Sequence, residues 1–175
     1  MLPGALRSDL SPACAEMAQG DKAGEWASFL QYYHLYTMAS GMNSPAIAAV
    51  WKEHSEEERE HAGRINARIS QPGGVPANSP EKTARLGPLP FKEGHGMASQ
   101  LRDDLVFERA TISLYDEITR TCAFNDSTTR RLFESLLADE NEHAEALSSF
   151  LFELDASTGQ QIESAEKTEM KRRAA

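Results

Sequence analysis

The stretch ADENEHAEAL, residues 138–147, places Glu140 three residues before His143 in a segment of helical character. Residues three apart on an α-helix share one face, so both side chains can reach a common partner. The same spacing occurs in SEEEREHAGR, where Glu58 precedes His61. Each pair alone fits a charged helix surface, because a glutamate-rich chain with five histidines produces such a pair by chance. The two pairs together indicate a metal site, provided that other segments supply matching ligands.

Length, composition and charge describe one globular domain of acidic character. The chain has 175 residues, with 40% hydrophobic and 26% charged side chains, close to the averages of folded domains. The formal net charge of −9 repels nucleic-acid phosphates and attracts cations. Only the end, KRRAA, is locally basic. Nucleic acid is therefore not an expected partner.

The sequence gives no targeting signal that we can identify. No run of about twenty apolar residues predicts a membrane span, and the start, MLPGALRSDLSPAC, lacks a charged segment followed by an apolar one. The two cysteines fit neither a disulfide framework nor a four-thiolate zinc site. We therefore expect a cytoplasmic protein that does not contact the membrane.

Four long segments carry the three- and four-residue apolar periodicity that is typical of helices. They are about Ser11–Met42, Ala46–Ser70, Met97–Ala123 and a last segment that ends near Leu154. Short breaks follow the first and third segments, and Asp126 or Ser127 is the expected N-cap of the fourth. Residues 71–96, by contrast, form a proline- and glycine-rich connection without a convincing element of its own.

The lengths of these breaks predict an all-α fold, a four-helix bundle with one long crossover between the second and third helices. A short break makes a hairpin of antiparallel helices, whereas the long connection can travel the whole bundle. Residues 11–155 are predicted to form the bundle, after an N-terminal extension of residues 1–10. Residues 156–175 form a polar C-terminal tail that either holds a short helix or frays.

Glu25 in the first segment and Glu108 in the third are the expected partners of the two Glu-x-x-His pairs. In each hairpin, this glutamate and the opposite pair lie at similar distances from the turn, as antiparallel helices require. Apolar neighbours such as Trp26, Phe29 and Phe107 indicate that both carboxylates face inward.

Four buried carboxylates destabilise a bundle unless their charge is balanced. Two divalent cations balance four negative charges, and two imidazoles complete the coordination. Di-iron bundles show this pattern, with a glutamate from each of two helices and a Glu-x-x-His pair from each of the other two. The predicted metal ligands are Glu25, Glu58, His61, Glu108, Glu140 and His143.

The chain resembles the ferritin-like superfamily, and bacterioferritins in particular, over about residues 11–155. The resemblance is carried by EWASFLQYY, EEEREHAGRINARI, LVFERATISLYDEI and LLADENEHAEAL. It implies that Glu58 and Glu140 bridge two irons. The further ligands that it implies are Glu25 and His61 for one iron, and Glu108 and His143 for the other.

The resemblance also implies an iron-storage and detoxification protein with ferroxidase activity. Such a protein oxidises Fe(II) with O2 or H2O2 and holds the Fe(III) mineral in a hollow shell of twelve or twenty-four subunits. The ligand set also accepts manganese. The alternatives are a non-storing di-metal oxidase or peroxidase, including the manganese catalase type, and a DNA-protecting mini-ferritin shell.

Two features depart from ordinary bacterioferritins. Arg59 stands where those proteins carry the methionine that ligates haem, so haem is not expected. The long crossover and the run FERATISLYDEI look more like the dodecameric, Dps-like branch that carries a bacterioferritin-type site.

Residues near the predicted ligands carry weaker signals. Tyr32 lies two turns after the first ligand; the resemblance implies a redox-active tyrosine there, and core packing with a hydrogen-bonded hydroxyl is the alternative. His54 could orient a ligand or bind a transient iron, but we expect a solvated or capped histidine. Glu53 and Glu57 either line the interior of the shell or are merely solvated.

Cys14 and Cys122 should lie near the same end of the bundle if the first and third helices are antiparallel. A redox-active pair is one interpretation of this placement. We expect two inert buried thiols instead.

Overall fold

The computed structural model describes the backbone of residues 12–39, 45–86, 96–123 and 126–173, and side chains within 14–39, 45–83, 96–123 and 126–156. It contains the helices α1 (Pro12–Ala39), α2 (Pro45–Ser70), α3 (Pro80–Leu86), α4 (Met97–Cys122) and α5 (Ser127–Arg173). No strand occurs in these residues, which confirms the all-α prediction. The predicted N-terminal extension lies outside the described residues.

The four long helices form the bundle, and two apolar clusters show their directions. The first cluster joins the beginnings of α1 and α5 to the ends of α2 and α4. The second cluster joins the end of α1 and the middle of α5 to the beginnings of α2 and α4. Both hairpins are therefore antiparallel, and α4 runs parallel to α2, which confirms the predicted long crossover.

The two clusters close the two ends of the bundle with large buried side chains. The first is built mainly from Ile65, Ile69, Tyr115, Ile118 and Phe133. The second is built mainly from Tyr32, Ile47, Trp51, Leu101 and Leu147. Burying one such side chain contributes about 1.5–3 kcal/mol. Apolar packing at both ends can therefore hold a polar layer between them.

The crossover begins near a glycine that ends α2, and hydrogen bonds then join it to α1. Gly73 has φ 94°, a left-handed conformation that favours glycine and ends the helix. The Gln19 side chain donates to the Val75 carbonyl and accepts from the Ala77 backbone N–H, both at 2.9 Å. The buried Lys22 ammonium also donates to the Ala77 carbonyl. These bonds anchor the first part of the crossover.

The crossover contains the short helix α3, so the expectation of a connection without an element of its own was wrong. The Ser79 hydroxyl accepts from the Lys82 backbone N–H at 3.3 Å, and Pro80 takes the first helical position. Glu81 follows in the first turn. The Ser-Pro-Glu sequence is a local start signal that the proline- and glycine-rich composition of the whole connection hides.

The last helix is longer than predicted. The sequence indicates an end near Leu154, but α5 continues to Arg173. The tail lacks proline and is rich in good helix formers, and its one glycine costs only about 1 kcal/mol. Apolar periodicity marks where a helix can pack, and it does not mark where the helix ends. No described helix, α5 included, is long and apolar enough to cross a membrane.

A buried ion pair joins the end of α2 to the start of α5. Arg68 Nη2 donates to both carboxylate oxygens of Asp126 at 2.9 and 2.8 Å, and Arg68 Nε donates to Thr129 Oγ1 at 2.7 Å. Asp126 also accepts from the Thr129 backbone N–H at 2.9 Å, so it is the N-cap of α5. Burial opposes ionisation, but the bonds from Thr129 and Arg68 lower the pKa of Asp126.

Cys14 and Cys122 form a disulfide between α1 and α4, with Cα atoms 6.2 Å apart. Both are fully buried in the first cluster. The expectation of two inert thiols was therefore wrong. The antiparallel arrangement of α1 and α4 brings the two side chains to the same level of the bundle.

Asp126→Ala should destabilise the fold by about 3–5 kcal/mol, because it leaves the buried Arg68 charge unpaired and removes the cap of α5. Denaturant unfolding followed by circular dichroism measures this change. The control is Asp155→Ala, since Asp155 pairs with Arg102 at 3.1 Å on the surface, where a pair contributes less than about 1 kcal/mol. Equal losses in the two variants would contradict a stabilising role for the buried pair.

Candidate metal centre

A layer of buried acidic and imidazole side chains lies between the two apolar clusters. It contains Glu25 from α1, Glu58 and His61 from α2, Glu108 from α4, and Glu140 and His143 from α5. None of these side chains is more than 3% exposed. The structure thus brings together all six residues that the sequence predicts as ligands.

One half of the centre, the α1 group, consists of Glu25, Glu58, His61 and Glu140. One ligand atom from each lies within 4.8 Å of the others. His61 Nδ1 is 3.4 Å from Glu25 Oε2, 3.9 Å from Glu58 Oε2 and 3.1 Å from Glu140 Oε1. Three carboxylates therefore converge on one imidazole nitrogen.

The other half, the α4 group, consists of Glu58, Glu108, Glu140 and His143. His143 Nδ1 is 3.1 Å from Glu58 Oε1, 3.8 Å from Glu108 Oε1 and 3.7 Å from Glu140 Oε2. Glu58 and Glu140 belong to both groups, and each turns one oxygen toward His61 and the other toward His143. Carboxylates in this arrangement can bridge two metal ions.

Many polar atoms of the centre have no hydrogen-bond partner. They are Glu25 Oε2, Glu58 Oε1, Glu108 Oε2, both carboxylate oxygens of Glu140, and Nδ1 of His61 and His143. A buried polar atom without a partner costs about 1–3 kcal/mol, and more if it is charged. Carboxylate oxygens and neutral imidazole nitrogens are suitable ligands for divalent transition metals. The donor set therefore fits two such cations.

The carboxylates of the centre influence one another's ionisation. Burial and the charges of Glu58 and Glu140 raise the pKa of Glu25, and the same causes raise the pKa of Glu108. Burial acts against ionisation of Glu140 as well, but its contacts with His143 and His61 outweigh burial and lower its pKa. The position of Glu140 between the two histidines thus favours a carboxylate.

Contacts with the buried carboxylates favour the charged form of both histidines. Burial favours neutral imidazole, but contact with Glu140 and the charge of Glu58 raise the pKa of His61. Contacts with Glu140 and Glu58 likewise outweigh burial at His143 and raise its pKa to about 12. Without cations, protons on these groups balance part of the negative charge, and a cation must displace them.

The outer nitrogen of each histidine contacts an acid that the sequence analysis did not assign to the site. His61 Nε2 lies 3.2 Å from Asp139 Oδ2, and His143 Nε2 lies 2.8 Å from Glu57 Oε2. Such partners fix the orientation of a ligating imidazole. Glu57 contacts His143 while 46% of its side chain stays exposed, as expected for a residue that faces solvent. Its place on the inner face of a shell stays a prediction. The sequence signal is an acid directly before the glutamate of each Glu-x-x-His pair.

Tyr32 lies beside the α4 group, and its hydroxyl donates to Glu108 Oε1. Burial and the Glu108 charge raise the pKa of this hydroxyl, so it stays protonated and able to donate. The bond fits both interpretations of Tyr32, a redox-active residue and a packed tyrosine with a bonded hydroxyl. Tyr115, at the matching position after Glu108, packs edge-on against Phe133, and its hydroxyl has no hydrogen-bond partner.

His54 is buried beside the α4 group, so the expectation of a solvated or capped histidine was wrong. Its ring stacks on His143 with centroids 3.9 Å apart and meets Tyr32 edge-on at 5.2 Å. One ligand atom each from His54, Glu108 and His143 lie within 4.8 Å of one another. Burial and the charge of His143 lower the pKa of His54 to about 3, which keeps its imidazole neutral.

Asp21 is a further buried acid that the sequence analysis missed. It precedes Glu25 by one helical turn, and this spacing was the available signal. Burial and the charges of Glu140 and Glu58 raise the pKa of Asp21. Among the described residues, Asp21 belongs to neither half of the centre.

Comparison with known proteins identifies the family. The model of the ferritin-like domain matches residues 21–157, which include all six candidate ligands. Bacterioferritin from Rhodobacter capsulatus is 32% identical over 124 residues, which cover 70% of this chain and 73% of that protein. The nutrient stress-induced DNA-binding protein of Synechococcus sp. is 26% identical over 126 residues, which cover 70% of this chain and 72% of that protein.

A solved structure agrees with the sequence matches. It is a dodecameric thioferritin, the bacterioferritin-related protein from Bacteroides fragilis, with a TM-score of 0.79 and 27% identity. The match covers 85% of this chain and 89% of that chain. It confirms the resemblance to bacterioferritins and agrees with the bundle that the lengths of the breaks predict. The chain belongs to the ferritin-like family, in its bacterioferritin-type branch.

Proposed function

We propose that this protein is an iron-storage and detoxification protein with ferroxidase activity. It oxidises Fe(II) with O2 or H2O2 and holds the Fe(III) mineral in an oligomeric shell. The observation that supports this most is the sharing of Glu58 and Glu140 between two histidine-bearing groups, with buried oxygens that lack hydrogen-bond partners. The similarity to a bacterioferritin supports the same function.

In this proposal the six buried side chains are the ligands of two iron ions. Glu58 and Glu140, which belong to both groups, would bridge the ions. Glu25 and His61 would complete one position, and Glu108 and His143 would complete the other. Hard carboxylate oxygens favour Fe(III) over Fe(II), and imidazole moderates this preference. We assign a redox role to Tyr32, whose hydroxyl contacts Glu108.

Fe(II) is both the substrate and the precursor of the stored product. Two Fe(II) ions lose one electron each, and O2 takes up these two electrons and two protons to form H2O2. With H2O2 as the oxidant, the same electrons and two protons yield two water molecules. Four glutamates balance the charge of two Fe(II) ions but not that of two Fe(III) ions. The excess positive charge favours release of the ferric product toward the mineral.

Storage requires many copies of the chain around a cavity. On α1, Leu30, Tyr33 and Met38 are 53%, 51% and 55% exposed. Large apolar side chains on a surface helix fit burial against a neighbouring copy. The dodecameric state of the Bacteroides fragilis relative favours a shell of twelve subunits for this chain.

Two other functions use the same fold. A non-storing oxidase or peroxidase, with iron or manganese, would need the same six ligands but no mineral. A DNA-protecting shell is favoured by the name of the Synechococcus relative, but the net charge of −9 opposes binding to phosphates. Iron storage is the function that fits both the buried centre and the acidic surface.

The proposal predicts that the protein retains far more iron than its centre binds. Metal-free protein is titrated with Fe(II) in air, loosely bound metal is removed, and iron per subunit is counted. We expect retention well above the two ions of a di-iron centre. Retention that stops near two irons would support a non-storing oxidase. No retention at all would contradict the metal centre.

Glu140→Ala tests whether the centre itself oxidises Fe(II). Because Glu140 is shared by both halves of the centre, its loss should slow Fe(II) oxidation by about 100-fold or more. The control is Glu142→Ala, on the exposed side of the same helix, which should oxidise iron at the wild-type rate. Equal rates in the two variants would exclude Glu140 from the reaction.

Binding of Zn(II) should release protons and should strengthen as the pH rises. The raised pKa values of Glu25, Glu108, His61 and His143 mean that the metal-free centre holds protons which a cation must displace. Because these protons leave more easily at higher pH, the apparent affinity should increase between about pH 6 and pH 8. Calorimetric titration in buffers of different ionisation enthalpy counts the protons. An affinity that is independent of pH, with no proton released, would contradict this charge balance.

A further inference from the structure

The two halves of the centre differ one helical turn before the shared glutamate. One turn before the bridging glutamate, α2 carries His54, whereas α5 carries Leu136. Leu136 is fully buried among the apolar side chains of the first cluster. The two hairpins carry equivalent ligands. At this position, however, one hairpin has an imidazole and the other has a hydrocarbon side chain.

His54 is buried next to ligands rather than in either apolar cluster. It is 5% exposed and stacks on His143, with an angle of 20° between the two rings. Its Nδ1 atom is buried and has no hydrogen-bond partner. Buried polar groups in native proteins nearly always have a partner, so we expect this nitrogen to bind one.

His54 lies close enough to two side chains of the α4 group to share a metal ion with them. A ligand atom of His54 lies within 4.8 Å of ligand atoms of both Glu108 and His143, the same limit that holds within the α1 group. Tyr32 meets the His54 ring edge-on and also donates to Glu108. Tyr32 therefore contacts both His54 and a member of the α4 group.

We propose that His54 is a seventh ligand of the centre, which gives the metal ion of the α4 group a second imidazole and makes the two metal positions unequal. The inference rests on the metal centre of the proposed function and adds to it a difference in affinity. The α4 group would offer two imidazoles, from His54 and His143, whereas the α1 group offers only that of His61.

An unequal centre should fill in order. Imidazole nitrogen binds later first-row divalent metals more strongly than carboxylate oxygen does. The α4 group should therefore take up the first ion and the α1 group the second. For a protein that captures Fe(II) from dilute solution, a tight first position would retain one ion until the second arrives.

The test measures Co(II) binding to metal-free protein by calorimetry and by the visible absorption of the bound ion. Wild-type protein should bind two Co(II) ions per subunit in two steps whose affinities differ by about 10-fold or more. His54→Leu copies the α5 hairpin, and His54→Phe keeps an aromatic ring against Tyr32 and His143. Both variants should weaken the tighter step by about 10- to 100-fold and leave the weaker step unchanged.

Three outcomes would overturn the inference. Wild-type affinities in His54→Phe would show that the ring only packs. A third Co(II) ion in the wild type, lost in both variants, would place His54 in a separate site. Wild-type protein that binds no Co(II) would overturn the proposed metal centre itself. Thermal unfolding of the metal-free variants checks that each has folded.

Discussion

Repulsion among four buried glutamates is the constraint on which the rest of this structure depends. Charges this close in a protein interior would push the helices apart if nothing balanced them. An apolar cluster at each end of the bundle, the disulfide between α1 and α4, and the buried pair of Arg68 and Asp126 hold the helices together. Protons on the histidines and glutamates balance part of the charge without metal. The stable ends thus allow an unfavourable polar layer, whose negative charge favours the binding of cations.

Much of the fold and the six candidate ligands could be predicted from the sequence. The Glu-x-x-His spacing depends only on helix geometry, and the lengths of the breaks give the helix order. In each hairpin, the single glutamate and the Glu-x-x-His pair lie at similar distances from the turn. Glu25 and Glu108 are therefore expected at the same level of the bundle as the two pairs. The short helix α3 and the length of α5 were not predicted. The first depends on local capping and the second on helix propensity, and apolar periodicity reports neither.

The residues that contact the candidate ligands could not be predicted in the same way. His54, Glu57 and Asp139 act through contacts between α2 and α5, and a rotation of either helix by a few tens of degrees decides whether such a side chain meets a histidine or solvent. The pairing of Cys14 with Cys122 depends likewise on how α1 and α4 pack. Of these residues, His54 makes the two halves of the centre distinct, whereas the six ligands alone would leave them nearly equivalent.

The central claim is that these six residues hold two metal ions, one in each half of the centre. The most direct measurement is anomalous X-ray diffraction at the iron absorption edge, from crystals soaked in Fe(II) without oxygen. Our account predicts two anomalous peaks inside each bundle, one among the α1 group and one among the α4 group. Peaks confined to surface carboxylates, with none inside the bundle, would contradict it.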